Sequence, residues 1–286
     1  MIKGVFTALV TPFNEDGSID IGAYRELIHY QLEQGIDGLV PCGTTGESPT
    51  LSSDEKDLLI SIAVEIAKGT VPVIAGTGCN DTKHAVDATR RAKEIGAAMT
   101  LQVAPYYNKP SAEGLYKHFT TIAEEGELPV VLYNVPGRSA INMSVDLTLR
   151  LAQHPGIVAV KEASGSMSQI QDLLYKRPKE FAVLSGDDSL TLPMMVCGAE
   201  GIISVASNMF PKEMVAMTHA MLDKDLSKAL EIHNWIYPFF VNQFIESNPV
   251  PIKTYMAEKG MVKEIFRLPL CQLRPENRKI LINTFS

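Results

Sequence analysis

Short runs of β-branched and aliphatic residues recur along the chain at 5–10, 38–41, 71–75, 99–104, 130–133, 157–160, 181–184 and 201–205. Runs this short, bounded by Gly, Pro and polar residues, read as strands. Between them lie longer segments with apolar residues at i, i+3 and i+4, for example 21–34, 53–67, 82–95 and 111–125. That is the period of an amphipathic helix. One of these helices opens on a capping box, Ser52-Ser53-Asp54-Glu55, in which Ser52 satisfies an orphan amide and Glu55 returns the contact. Strand then helix, repeated eight times, predicts an α/β fold of the (β/α)8 TIM-barrel type. The same alternation also fits an open doubly wound sheet.

The pattern assigns the barrel to residues 1–224 and a small C-terminal appendage to 225–286. Three helices are expected there, at 225–240, 251–259 and 275–282, joined through Asn248-Pro249 and Arg267-Leu268-Pro269. With no low-complexity linker before it, the appendage is expected to pack on the barrel. A chain of 286 residues with 45% hydrophobic residues can bury a large core. A net charge of −7 without a basic cluster argues against a nucleic-acid partner or an anionic membrane surface, and makes small-molecule chemistry the expectation. The first apolar stretch is broken by Thr7, Thr11 and Pro12 with no small-residue cleavage site behind it, so it reads as a strand and not as a signal. No run approaches the ~18 apolar residues of a membrane span, and a soluble, cytoplasmic protein is expected. Cys42, Cys79, Cys197 and Cys271 are far apart, lack ligand spacing and read as reduced thiols in or near the core. The six histidines form no paired ligand set, so no structural zinc is expected.

In a barrel of this type, chemistry gathers at the carboxyl ends of the strands. Lys161 closes the apolar run 156–160 at one of those ends. Burial disfavours the charged form of a lysine, and a neutral lysine can attack a ketone to form a Schiff base. Taken alone, the segment also fits a lysine that snorkels outward or pairs with an acid. After the second strand comes Gly43-Thr44-Thr45-Gly46-Glu47. Its amides and hydroxyls can form a nest for a carboxylate, though a well-capped turn reads the same way. The fourth strand ends in Ala104-Pro105-Tyr106-Tyr107-Asn108-Lys109-Pro110 and the fifth in Tyr133-Asn134-Val135-Pro136-Gly137-Arg138. Tyrosines at strand ends commonly pack with a polar tip, but a phenol of pKa near 10 also suits proton relay to a carbinolamine oxygen. Arg138, just past a Pro-Gly turn, is either a surface cation or a fork for a substrate carboxylate. The seventh strand ends in Ser185-Gly186-Asp187-Asp188, and the eighth supplies Gly201-Ile202-Ile203-Ser204-Val205.

With these motifs, and Ser247-Asn248-Pro249-Val250-Pro251-Ile252-Lys253, the chain resembles from end to end the dihydrodipicolinate synthases of the pyruvate-dependent class I aldolase (N-acetylneuraminate lyase) family. Lys161, Tyr133 and the 43–47 motif carry the family resemblance, while Arg138 and the Tyr106-Tyr107 pair point to the synthase branch. Sialate lyases and keto-sugar-acid aldolases share the lysine and tyrosine but generally lack that arginine. The resemblance implies that Lys161 forms an imine with pyruvate, that Tyr133 shuttles protons, and that Thr44 links Tyr133 to a Tyr107 from the neighbouring subunit. It implies that Thr45 and adjoining amides hold the pyruvate carboxylate, with Gly186 and the Ile203 carbonyl beside the reacting centre. Arg138 would hold the carboxylate of L-aspartate 4-semialdehyde, and the product would be 4-hydroxy-tetrahydrodipicolinate, of lysine and diaminopimelate biosynthesis. No cofactor and no metal are implied; a homo-oligomer is, at least a dimer and by expectation a tetramer. A non-catalytic sensor or scaffold of the same family would be expected to lose Lys161 or Tyr133, and both are present. Lysine-sensitive relatives bind lysine at the dimer interface through two histidines and a glutamate, where this chain has Ser53, Lys56 and His84. Ser48, Asn80 and Tyr106 still match, so the resemblance implies a degenerate regulatory pocket.

Overall fold

The computed structural model describes residues 2–285. Eight parallel strands, β1 Gly4–Ala8, β2 Gly38–Val40, β3 Ile74–Gly76, β4 Met99–Val103, β5 Val130–Asn134, β6 Ile157–Glu162, β7 Ala182–Ser185 and β8 Gly201–Ser204, pair in the order β2-β1-β8-β7-β6-β5-β4-β3. The two ends of that order meet: Leu39 bridges Val73, the Leu39 amide donates to the Pro72 carbonyl at 3.1 Å, and the Gly76 amide donates to the Pro41 carbonyl at 2.9 Å. The sheet is therefore a barrel and not an open doubly wound layer. The third strand starts later than its apolar run because Pro72 has no N–H to give the ladder.

Helices α1 Ile21–Glu33, α2 Ser53–Ala67, α3 Thr82–Ile95 and α4 Ala112–Gly126 follow the first four strands. After β5 a single turn, α5 Pro136–Ser139, precedes α6 Val145–Leu151. Arg138, expected just past a turn, is therefore on a helical turn that Pro136 starts, its fixed φ suiting the first helical position. Helices α7 Met167–Lys176, α8 Thr191–Val196 and α9 Pro211–Leu222 complete the barrel's outer ring. The capping box of α2 is formed, with the Glu55 amide donating to Ser52 Oγ at 3.2 Å and the Ser52 amide to Glu55 Oε2 at 2.9 Å.

Strand alternation sorts the core. Phe6, Leu101, Val131, Ala159, Leu184 and Ile203 form one buried cluster inside the ring, while neighbours such as Val5, Leu132 and Val160 pack outward against helices. Two residues on from Val131 and Ala159, the next inward layer contains Tyr133 and Lys161, which are register partners on β5 and β6. After α9 the chain forms α10 Leu226–Asn242, α11 Val250–Glu258 and α12 Pro275–Ile282. Their buried residues Phe239, Ile252, Met256 and Leu281 belong to the same hydrophobic cluster as Val5, Leu9 and Phe13 of the barrel. Among the described residues no helix is long and apolar enough to cross a membrane. Of the cysteines, Cys42 is buried and Cys79 and Cys197 half-buried, but Cys271 is exposed. It lies in the irregular stretch between α11 and α12, where connecting backbone runs over the surface.

Candidate active site

Lys161 is 4% exposed. Its Nζ lies 4.3 Å from the centre of the Tyr133 ring, and among the described residues no carboxylate pairs with it. The adjacent acid, Glu162, points to the other face of β6, as alternation requires. There it accepts from Asn134 Nδ2 at 3.1 Å and from the Ser164 amide at 2.6 Å, and burial pushes its carboxyl up. The reading in which Lys161 pairs with a neighbouring acid is thereby excluded. Room for the lysine stem comes from Gly186, where a Cβ would stand 3.0 Å from both Cγ and Cε of Lys161 and 2.8 Å from the Ala163 Cβ. A bulkier residue would have to displace the amine.

The 43–47 loop folds on itself. The Gly46 amide donates to the Gly43 carbonyl and the Glu47 amide to the Thr44 carbonyl, both at 3.1 Å, and Glu47 adopts a left-handed φ of 55°. Such a conformation costs a side-chain-bearing residue on the order of 1 kcal/mol or more and persists where surroundings over-determine it. Here they do. Glu47 Oε1 accepts from Lys253 Nζ at 2.6 Å, with both side chains fully buried, and Oε2 accepts from the Arg267 amide at 3.2 Å. Lys253 also donates to the Ile265 carbonyl at 2.7 Å and lies 4.5 Å from the Phe13 ring centre and 4.9 Å from that of Phe266. Burial pushes the Lys253 amine down, and Glu47 opposes the shift. Thr45 is also buried, its Oγ1 accepting from Asn248 Nδ2 at 3.0 Å. The Asn248 carbonyl in turn accepts from Arg138 Nη2, again at 3.0 Å. A single residue of the appendage thus touches both the loop and the arginine.

A cavity of about 240 Å³ opens beside these groups, walled in part by Thr44, Tyr133, Arg138, Ser48, Lys56 and Tyr106. Among the described residues Arg138 and Lys56 are the charged members of its wall, and no acid lines it. Tyr133 joins the two parts of the site, since it faces the cavity and lies against Lys161. Ile203 is buried in the barrel interior, and Ser53, His84 and Tyr107 lie on the surface. Tyr107 is 90% exposed on a backbone with φ of 73°, and among the described residues no hydrogen bond joins it to Thr44 or Tyr133. Asn80 donates from Nδ2 to the Tyr106 carbonyl at 3.2 Å, which fixes the loop after β4 to the loop after β3.

The model of the dihydrodipicolinate synthetase family matches residues 1–286. The chain belongs to that family. It is 50% identical over 278 residues to the 4-hydroxy-tetrahydrodipicolinate synthase of Koribacter versatilis, a match covering 97% of this chain and 93% of that protein. The crystal structure of dihydrodipicolinate synthase from Aquifex aeolicus superposes with a TM-score of 0.96 at 46% identity, covering 99% of this chain and 96% of that one. A chloride-inhibited dihydrodipicolinate synthase from Acinetobacter baumannii, complexed with pyruvate, superposes at 0.97 with 41% identity over 99% of this chain and 98% of that one.

Asn248, Lys253 and Glu47 were quoted within family motifs by the sequence reading but given no role. A signal for two of them was present, since a buried-looking motif with a lone acid and another with a lone base call for each other. Asn248 carried no such signal. Asp188 was likewise passed over, although it is fully buried and accepts from Ser204 Oγ at 2.5 Å, the Val205 amide at 3.2 Å and Gln243 Nε2 at 3.0 Å. Burial pushes its carboxyl up to about 6.

Proposed function

We propose that this chain condenses pyruvate with L-aspartate 4-semialdehyde through a Schiff base on Lys161, giving 4-hydroxy-tetrahydrodipicolinate. The observation that carries the proposal is the placement of Lys161: buried, without an acid partner among the described residues, and against the Tyr133 ring at the carboxyl end of the barrel. The Lys161 amine adds to the pyruvate ketone, and loss of water leaves an iminium. Its positive charge acidifies the methyl group, which loses a proton to give an enamine. The enamine carbon then bonds to the aldehyde carbon of the second substrate, and that substrate's own amine displaces Lys161 and closes the ring. Lysine itself serves as electron sink, so this sequence calls on no metal or organic cofactor.

Tyr133 relays protons, with Thr44 and a Tyr107 of a second subunit extending the relay. Thr45 and the amides of its loop hold the pyruvate carboxylate, Gly186 leaves space for the imine, and the Ile203 carbonyl borders the reacting centre. Arg138 grips the carboxylate of the semialdehyde. In this reading the reacting groups belong to the barrel of residues 1–224, and the appendage of 225–286 braces them. The protein works in the cytoplasm as a homo-oligomer, at least a dimer and by expectation a tetramer. The exposed Tyr107 and its left-handed backbone support a covering partner. A monomer that retains full activity would overturn the oligomer.

The test of the chemistry is reductive trapping. Pyruvate with borohydride should attach covalently at Lys161, seen by intact mass and peptide mapping. An adduct on a different lysine, or none under turnover conditions, removes the mechanism. A keto-sugar-acid or sialate aldolase would give the same adduct, and Arg138 weighs against it. Comparing aspartate semialdehyde with N-acetylneuraminate as partner substrate separates the two.

A further inference from the structure

Asn248 meets two groups to which the proposed reaction gives different substrates: Thr45 for pyruvate and Arg138 for the semialdehyde. Its side-chain amide donates from Nδ2 to Thr45 Oγ1, and its backbone carbonyl accepts from Arg138 Nη2, each at 3.0 Å. Asn248 is buried, in the connection between α10 and α11, and so is Thr45. Five residues on, the same segment is fixed against the 43–47 loop a second time, where Lys253 pairs with Glu47. Both ends of the amide contact are therefore held by buried structure, as a preorganised site requires.

The direction of the Asn248 contact matters. A threonine hydroxyl has one proton to give and two lone pairs to receive with, whereas a carboxylate only receives. Because Nδ2 donates to Thr45 Oγ1, the hydroxyl proton is not spent on Asn248, and among the described residues it has no other acceptor. The amide oxygen of Asn248 is likewise buried and accepts from no described residue, so toward the loop the side chain serves only as a donor. We propose that Asn248 is a positioning residue whose amide turns the Thr45 proton toward the pyruvate carboxylate, while its carbonyl holds Arg138 for the second substrate. The inference rests on the proposed role of Thr45 in holding pyruvate. Pyruvate then senses the side chain of Asn248, and the semialdehyde senses its backbone.

Mutation separates the two contacts, because a side-chain change leaves the carbonyl in place. Pyruvate binding is read without the second substrate, as the pyruvate concentration that half-saturates borohydride trapping at Lys161. The KM for aspartate semialdehyde is read at saturating pyruvate. Asn248→Ala leaves the hydroxyl to turn among its staggered positions and should raise the half-saturating concentration about threefold. Asn248→Asp keeps the shape but only receives, so it accepts the Thr45 proton itself and should raise that concentration about 10–150-fold, the loss of one charge-assisted hydrogen bond. In both variants the KM for the semialdehyde should stay near the native value. In a Thr45→Val background Asn248→Ala should have no further effect, since no hydroxyl is left to direct. Equal losses for both substrates, native half-saturation in either variant, or an undiminished effect in the Thr45→Val background would each overturn the positioning role. Native protein that traps pyruvate beside variants that bind it equally well removes Asn248 alone. Native protein that forms no adduct removes the Lys161 reading, and the role of Asn248 with it.

Discussion

Replacing Lys253 by methionine tests whether the loop that carries Thr44 and Thr45 is held in place from outside the barrel. The Lys253–Glu47 pair is 2.6 Å long with both side chains at 0% exposure. The substitution leaves the Glu47 carboxylate buried with the Arg267 amide as its remaining donor. Removing one partner of a buried ion pair costs ~3–5 kcal/mol, whereas replacing both is close to neutral. At ~2–4 °C per kcal/mol for a protein of this size, the unfolding midpoint should fall by roughly 6–20 °C. Lys253→Met combined with Glu47→Gln should recover most of that loss. Because Glu47 holds its left-handed turn against this contact, Lys253→Met should also raise the KM for pyruvate more than it lowers kcat. Calorimetry on the single and double variants, with pyruvate titrations on each, decides the matter. A double variant no more stable than Lys253→Met, or a single variant within ~1 kcal/mol of the native protein, would refute the idea of a buried strut.

Arg138→Ala should cut kcat/KM for aspartate semialdehyde by about 10–150-fold, the equivalent of a charge-assisted contact of ~1.5–3 kcal/mol. The borohydride adduct with pyruvate should form nearly as before, and equal damage to both steps would make the arginine structural. L-lysine should inhibit weakly, because an ε-ammonium ~4 Å from Lys56 at an effective dielectric of ~20 is repelled by on the order of 4 kcal/mol; half-inhibition below about 1 mM in a steady-state titration would contradict this. Asp188 has its carboxyl raised from 3.8 to about 6 by burial, so between those pH values the folded state binds the proton more tightly than the unfolded one. Its contribution to stability is therefore greatest below pH 3.8 and falls as pH rises through 6, by about 3 kcal/mol in all. Asp188→Asn does not titrate, so the stability difference between native protein and variant should decline over that window; a flat difference in denaturant titrations would rule the linkage out.

The barrel was legible because each of its elements is a local pattern. Buried strands and amphipathic helices announce themselves within about ten residues, and Ser52 with Glu55 marks a helix start within four. The continuous apolar run before Lys161 marked a buried strand end but not which way the lysine faces; that followed only when the structure put Ala159 in the inner core. Contacts without a period stayed hidden. Asn248 meets Thr45 across 203 residues of sequence and Lys253 meets Glu47 across 206, and no local rule pairs such positions. The late start of β3 turned on the missing N–H of Pro72, which composition alone under-weighted. Exposure of Cys271 followed from the path of a connection with no pattern to read. Lys56 and Arg138 could be named as cations, but the continuous, acid-free wall between them exists only in three dimensions.

The clasp between loop 43–47 and the start of α11 also sets an order of assembly. The loop leaves the ribosome early, yet its anchors at Asn248, Lys253 and the Arg267 amide follow more than 200 residues later, the last contact spanning 220 positions. Contacts of such separation form only after long loops have closed, which places them late in folding. A nascent chain that has completed its strands therefore still lacks the strut that fixes Glu47. A reactive amine without its carboxylate nest is of little use to pyruvate, so competence should arrive abruptly with the final tens of residues and not grow with the barrel. Truncation even slightly short of Arg267 would leave an aldolase lysine in place with nothing to present a substrate to it.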